Sequence, residues 1–239
     1  MRRFFAPVNS FENGRVLLDA EETRHLRDVL RLHIGNEVSV FNGEGREYSC
    51  SVHAIEKKGS ELIIVEETQP SSPESPLEIT VAATILNGEK YDLIIQKAVE
   101  LGVARLVPLT TMRCDVKLND AEKRLGRWRR IAMEATKQSG RAKLMQISEP
   151  TAFGTLIAEA RDEHVVLFSE RNGANFSGLA VDKKITALFG PKGGWDDSEL
   201  EAATKHGIKI ITLGGRVLRA ETASIAITAI LQHRFGDLN

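Results

Sequence analysis

Two glycine-rich loops near the C-terminus constrain the fold more than any other feature of the sequence. They span residues 188–195 and 213–223, and each follows a short apolar run and leads into a helical pattern. Glycines at the carboxyl end of a parallel strand let backbone amides and carbonyls approach a ligand closely. The loops therefore predict one small-molecule pocket built from neighbouring strands. Arg219 and Glu221 in the second loop place charge at the mouth of that pocket.

Strand-like and helix-like patterns alternate through residues 77–239. The apolar runs expected to form strands cover residues 77–86, 104–109, 164–168, 185–189 and 208–213. The segments between them have helical periodicity, and the expected helices cover residues 92–101, about 119–138, 197–206 and 221–234. Alternation of this kind favours a parallel α/β sheet that is covered by helices on both faces.

Residues 1–69 follow a different pattern, in which short β-type runs are punctuated by Gly, Asn and Asp. Such spacing predicts a small β-barrel domain. One helix interrupts the strands, with Asp19 as its expected N-cap and Glu22 three residues later. Residues 70–76 are rich in proline and serine and hold three of the chain's seven prolines. We therefore expect them to be a linker between two domains, 1–69 and 77–239.

Positive charge is concentrated in one part of the chain. The formal net charge is −1, but residues 113–143 hold ten Lys or Arg against four Asp or Glu, a local charge of +6. A surface of this kind attracts a polyanion, because phosphate neutralisation releases counterions. Together with a separate small barrel, it suggests RNA. The candidate RNA-binding residues in the expected basic helix and just after it are Arg127, Arg130, Lys137, Gln138 and Arg141.

The helix near the N-terminus carries a second basic stripe. Arg24, Arg27 and Arg31 recur at helical spacing, so we expect them to share a face and to contact RNA phosphates. A solvated face balanced by neighbouring acidic residues is the alternative interpretation.

Several functional classes are disfavoured by the sequence. Cys50 and Cys114 stand far apart and no histidines cluster at ligand spacing, which argues against a zinc site or disulfide framework and fits a reducing cytoplasm. No run approaches the 18 apolar residues of a membrane span. The motifs of P-loop, dinucleotide-binding and serine-hydrolase sites are missing from the sequence. We expect a cytoplasmic protein that uses no metal.

Four segments in order resemble a known family. Residues 92–103 (DLIIQKAVELGV), residues 134–141 (EATKQSGR) and the two glycine loops are similar to the motifs of the RsmE family, the N3-uridine methyltransferases of small-subunit ribosomal RNA in the SPOUT class. The resemblance spans the whole chain. It implies a PUA-like barrel followed by an α/β domain with a C-terminal trefoil knot, a homodimer, and S-adenosylmethionine as cofactor. The implied target is a uridine in the decoding region of 16S ribosomal RNA, in the small ribosomal subunit.

The resemblance also assigns roles to residues. The implied cofactor-binding residues are Leu188, Gly190, Gly193, Gly194, Leu213, Gly214, Gly215 and Leu218. Loss of the uracil N3 proton leaves negative charge on the flanking carbonyl oxygens, which an arginine stabilises. We expect Arg219 to act in this way, with Gln138 and Arg141 holding the uridine or its phosphate. Glu221 either orients Arg219 or acts as the base.

Lys192 departs from the family pattern, since members typically have Glu at this position. A lysine stays protonated at neutral pH and cannot serve as the base there unless it is strongly perturbed. Either that glutamate is not the base, which we favour because the surrounding glycines are intact, or this protein is impaired. The alternatives are a non-catalytic, RNA-binding ribosome assembly factor and a SPOUT methyltransferase that acts on another RNA.

Overall fold

The computed structural model describes residues 2–117, 120–121, 123–159 and 164–238. Its chain divides into two compact units, one of Met1–Glu74 and Met133–Leu144, the other of Ser75–Ala132 and Met145–Asn239. Residues 133–144 thus belong to the same unit as the N-terminal residues, so the first unit is not a continuous stretch of the sequence. The functional division into 1–69, 70–76 and 77–239 stays a prediction.

The first unit is built on a six-stranded sheet. Its strands are β1 (Arg3–Phe5), β2 (Phe11–Glu12), β3 (Arg15–Leu18), β4 (Glu37–Phe41), β5 (Glu47–Ile55) and β6 (Ser60–Thr68). They are ordered β1-β4-β5-β6-β3-β2, and only the β1–β4 pair is parallel. Alternate residues point into the core, so that Val16, Val40 and Leu62 are fully buried.

The expected helix of the first unit is short. Helix α1 (Ala20–Arg24) begins at Asp19, whose carboxylate accepts two backbone N–H groups, as the sequence predicted. A single wide π-helical turn follows over His25–Val29, and Arg31 beyond it has a φ of 51°. The prediction that Arg24, Arg27 and Arg31 lie on one regular helical face is therefore wrong, because the regular helix ends before Arg27.

The second unit contains an eight-stranded sheet in which every pairing is parallel, which confirms the predicted α/β class. Its strands are β7 (Glu78–Thr84), β8 (Arg105–Thr110), β9 (Gln146–Ile147), β10 (Thr151–Ala152), β11 (Val165–Phe168), β12 (Ala174–Asn175), β13 (Lys184–Phe189) and β14 (Lys209–Thr212). The order is β10-β8-β7-β13-β11-β14-β12, with β9 beside β8. The trefoil knot implied by the family resemblance stays a prediction.

In the described part of the chain, the structure gives bounds for five further helices. They are α2 (Glu89–Glu100), α3 (Leu125–Ser139), α4 (Phe153–Glu159), α5 (Asp197–Lys205) and α6 (Ala220–Phe235). Helix α4 has no counterpart among the predicted helices. The basic helix was expected to begin near Asn119, which lies outside the described residues.

Candidate active site

The two glycine loops meet at one edge of the parallel sheet. Strand β11 lies between β13 and β14, in register with both, so the carboxyl ends of all three strands come together. Three loops leave this edge, namely residues 169–173 after β11, residues 190–196 after β13 and residues 213–219 after β14. The predicted loops are thus separated by one strand, and a third loop that sequence reasoning did not select lies between them.

These loops enclose a cavity of about 290 Å³. Its lining residues are Phe168, Ser169, Glu170, Phe189, Gly190, Pro191, Lys192, Gly193, Gly194, Trp195, Ile211, Leu213, Arg216, Val217, Leu218, Ala220, Ala223 and Ile227. Five of the eight residues assigned to the cofactor are in this set, namely Gly190, Gly193, Gly194, Leu213 and Leu218. Leu188 is instead fully buried inside β13, and Gly214 and Gly215 do not line the cavity.

Two glycines of the first loop occupy positions where a side chain would not fit. A Cβ atom on Gly190 would lie 2.9 Å from the indole nitrogen of Trp195. Gly194 has a φ of +71°, and a Cβ atom there would lie 2.7 Å from Glu170 Oε1. Position 190 therefore requires glycine because the Trp195 indole lies too close for a Cβ atom. Position 194 requires it because Glu170 also lies too close and because the backbone is left-handed.

Aromatic side chains hold the cavity in shape. The Trp195 indole is 1% exposed, and its Nε1 donates a hydrogen bond of 2.8 Å to the carbonyl oxygen of Phe168. The rings of Phe168 and Phe189 stack with centroids 5.5 Å apart. Trp195 thus links the loop after β13 to the end of β11, which makes this part of the cavity rigid.

Polar contacts fix the far end of the first loop. Asp196 caps α5 in a reciprocal arrangement with Glu199, and hydrogen bonds from Ser198 and Arg113 lower the pKa of the Asp196 carboxyl. Arg113 also donates to the carbonyl oxygen of Gly193 at 3.0 Å. The glycine loop is therefore held by side chains as well as by its own backbone.

The two predicted catalytic residues stand at the start of α6, next to the cavity but outside its lining. Arg219 is the exposed N-cap residue of that helix. Glu221 lies in the first turn, with its side chain 14% exposed and an oxygen 3.5 Å from Lys90 Nζ. Among the described residues, this ion pair joins Glu221 to Lys90 and no ion pair joins it to Arg219.

Exposed arginines remain available at several predicted RNA-binding positions. In the second unit, Arg127 and Arg130 are exposed on α3, and Arg127 donates a 2.6 Å hydrogen bond to Asp92. In the first unit, Arg24, Arg27 and Arg31 are exposed, and Arg27 pairs with its neighbour Asp28. Gln138 is also exposed.

Lys137 and Arg141 differ from their predicted role. The Arg141 side chain is 2% exposed and binds the Glu74 carboxylate through Nη2 at 2.6 Å. The Lys137 side chain is 11% exposed and pairs with Glu22, whose pKa is raised mainly by burial, against the lowering effect of Lys137. Both cations are largely buried, unlike the exposed side chains expected for RNA-binding residues, because they lie in a segment packed within the first unit, where a buried charge needs a partner.

Arg3 holds residues 136–141 within the first unit, and it was not identified from the sequence. Its guanidinium forms two 2.9 Å hydrogen bonds to the Glu47 carboxylate. It also donates to the carbonyl oxygens of Thr136 at 2.9 Å and Arg141 at 2.6 Å, at and just beyond the C-terminal end of α3. Arg3 therefore ties the first strand to the end of this helix within the same unit, and the Thr136 carbonyl also accepts a hydrogen bond of 3.4 Å from Ser139 Oγ.

The structure also bears on metal binding and on membrane insertion. In the described part of the chain, no three His, Cys, Asp or Glu side chains converge in a way that could hold a metal ion. None of the helices described here is long and apolar enough to cross a bilayer.

Comparison with known proteins gives consistent matches. A family model described as an RNA methyltransferase domain matches residues 73–232, and one described as an RNA methyltransferase PUA domain matches residues 18–65. Ribosomal RNA small subunit methyltransferase E of Bacillus subtilis (strain 168) is 30% identical over 96% of both chains. The protein of that name from Aquifex aeolicus (strain VF5) is 32% identical, over 92% of this chain and 95% of the relative.

A solved structure agrees in three dimensions. Ribosomal RNA small subunit methyltransferase E from Neisseria gonorrhoeae, crystallised bound to S-adenosyl methionine, superposes with a TM-score of 0.91. It is 32% identical in sequence, and the match covers 100% of both chains. The PUA match and the parallel α/β sheet also agree with the fold that the sequence predicted. The chain therefore belongs to the RNA methyltransferase family that includes ribosomal RNA small subunit methyltransferase E.

Proposed function

We propose that this protein methylates N3 of a uridine in the decoding region of 16S ribosomal RNA, with S-adenosylmethionine as methyl donor and the small ribosomal subunit as substrate. The observation that carries the proposal is the glycine-lined cavity where β13, β11 and β14 end. A relative that superposes over its whole length binds S-adenosylmethionine. The exposed basic residues supply the charge that an RNA substrate requires.

The residues of the cavity fit S-adenosylmethionine. Apolar side chains of β14 and of the segment after it form a wall suited to a flat adenine ring, and they are Ile211, Leu213, Val217, Leu218, Ala223 and Ile227. Gly190 and Gly194 line the cavity from the loop after β13 without a side chain, so that backbone groups can approach the ligand there. The volume lies near the lower limit of typical small-molecule sites, about 300 Å³. When bound, the cofactor supplies an electrophilic methyl group on a sulfonium.

The residues near the cavity provide positioning and charge. Arg219 stands where α6 begins, and we propose that its guanidinium donates to a uracil carbonyl oxygen as N3 loses its proton. Of the two roles considered for Glu221, orienting Arg219 has no supporting contact in the structure, since Glu221 pairs with Lys90. We propose Glu221 as the acceptor of the N3 proton. Lys192 cannot take that role while it is protonated.

The RNA surface is proposed from the residues that remain exposed. Arg24, Arg27 and Arg31 would contact phosphates in the first unit. Gln138 is a further candidate in the first unit, and in the second unit Arg127 and Arg130 would contact RNA from the exposed side of α3. Lys137 and Arg141 are left out of this surface because their charges are paired and shielded from solvent.

We also propose that the protein acts in the cytoplasm as a homodimer. Val217, 81% exposed beside the cavity, and the apolar residues of α6 are the features that support a second copy. Light scattering at micromolar concentration tests this, because the chain has a mass of 26.4 kDa and the dimer twice that value.

The decisive experiment is transfer of a labelled methyl group to small ribosomal subunits that lack the modification, followed by nucleoside mass analysis. N3-methyluridine at a single site is the expected product. Arg219→Ala should reduce turnover while cofactor binding stays unchanged, and full turnover in that variant would refute the role of Arg219. Transfer to another RNA would support a different methyltransferase specificity. Absence of both transfer and cofactor binding would support an assembly factor, the alternative that Lys192 suggests.

A further inference from the structure

Three charged side chains line the cavity among the described residues, namely Glu170, Lys192 and Arg216. Lys192 and Arg216 are exposed, and neither forms an ion pair with another residue that the structure describes. Glu170 is the single anion of the set, with Oε1 3.6 Å from Nε of its neighbour Arg171. Most of the other lining residues are apolar side chains or glycines, so these three side chains determine how the cavity treats a charged ligand.

Glu170 and Lys192 line the same cavity from the loops that follow two adjacent strands, β11 and β13. Glu170 follows β11 and lies against the first glycine loop, since its Oε1 is 2.7 Å from the position of a Cβ atom on Gly194. Lys192 stands two residues before Gly194 in that same loop. Arg216 belongs to the other loop, after β14. The cavity therefore carries an anion and a cation on its β11–β13 side and a second cation on the β14 side.

We propose that Lys192 and Glu170 bind the amino-acid tail of the methyl donor, Lys192 its α-carboxylate and Glu170 its α-ammonium. This inference rests on the proposed function, because the tail is part of S-adenosylmethionine. An amino-acid tail is a zwitterion, so it is recognised by a cation and an anion placed side by side. It also gives Lys192 a role in binding, which a protonated lysine can fill although it cannot act as a base.

The inference is tested by calorimetric titration with three nucleosides. S-adenosylhomocysteine has the whole tail, S-adenosyl-3-thiopropylamine lacks only the carboxylate, and 5′-methylthioadenosine lacks the tail. Lys192→Met should weaken S-adenosylhomocysteine binding by about 3- to 5-fold, the upper part of the range for an exposed ion pair. Affinity for the other two ligands should change less than about twofold. Lys192→Arg should retain most of the wild-type preference because it keeps the cation.

Glu170→Gln tests the other half of the site. It should weaken S-adenosylhomocysteine and S-adenosyl-3-thiopropylamine to a similar extent, because both keep the ammonium, and leave 5′-methylthioadenosine unaffected. Arg216→Met is the matched control, a cation of the same cavity on the other loop. Equal loss for all three ligands in Lys192→Met, or loss of carboxylate preference in Arg216→Met alone, would overturn the inference. Wild-type protein that binds none of the ligands would refute the proposed function itself.

Discussion

Substituting Gly190 by alanine should test the architecture of the cavity directly. The added Cβ would lie 2.9 Å, 3.0 Å and 3.1 Å from three atoms of the Trp195 indole. The indole has little room to move, because it is 1% exposed and hydrogen-bonded to Phe168 through Nε1. Gly190→Ala therefore pushes a buried aromatic ring away from its hydrogen-bond acceptor.

The cost follows from two effects on the same ring. Overpacking by one methyl group typically costs about 1–3 kcal/mol. A buried donor left without its acceptor costs about 1–3 kcal/mol more. Since the shift of Trp195 relieves part of the first effect while causing the second, we expect a loss of about 2–4 kcal/mol in the free energy of unfolding. Binding of S-adenosylhomocysteine should fall at least about tenfold, because Gly190 and Trp195 both line the cavity.

Urea unfolding followed by far-ultraviolet circular dichroism measures the stability, and calorimetry measures the binding. Gly193→Ala is the matched control in the same loop, because its Cβ would meet nothing closer than Arg113 Cδ at 3.5 Å, an ordinary contact. The free energy of unfolding of Gly193→Ala should stay within about 1 kcal/mol of the wild-type value. Equal stability of the two variants would refute the reasoning from the Trp195 contact; the comparison concerns stability because Gly193 also lines the cavity.

Two further predictions concern the first unit. Arg3→Met should lower the free energy of unfolding by about 3–5 kcal/mol, because it removes the only cation paired with the buried Glu47 carboxylate among the described residues and a donor to several carbonyl oxygens. Urea unfolding measures this loss of stability. The double variant Arg3→Met/Glu47→Gln should recover part of it, because it no longer buries an unpaired carboxylate. A loss below about 1 kcal/mol in Arg3→Met would contradict the prediction. Burial raises the pKa of the Cys50 thiol to about 12 from 9.0, so the folded protein should protect it from Ellman's reagent at pH 8, and rapid labelling of Cys50 would contradict this. Because the raised pKa favours the neutral thiol, its stabilising contribution is complete below pH 9.0 and is lost as the pH rises towards about 12, which urea midpoints across that range would show.

The sequence by itself determined the fold class and the position of the cavity. Alternation of apolar strands with amphipathic helices predicts a parallel sheet, and glycines after two strands predict where a ligand approaches the backbone. These are local signals, since the residues that carry them are adjacent in the chain. For the same reason Asp19 is recognisable as a helix cap without any tertiary information.

Only the tertiary structure decided which side chains meet at the cavity and which charges remain free. The insertion of β11 between β13 and β14 brings Glu170 and the Phe168 carbonyl into the site, and no local pattern reports the order of strands in a sheet. Burial has the same non-local origin. Arg141 has the spacing of a surface residue, yet it is enclosed and paired with Glu74, because residues 133–144 pack with the N-terminal unit. The sequence shows where the cations are, whereas long-range packing decides whether each one is exposed to solvent or is buried and paired with a carboxylate.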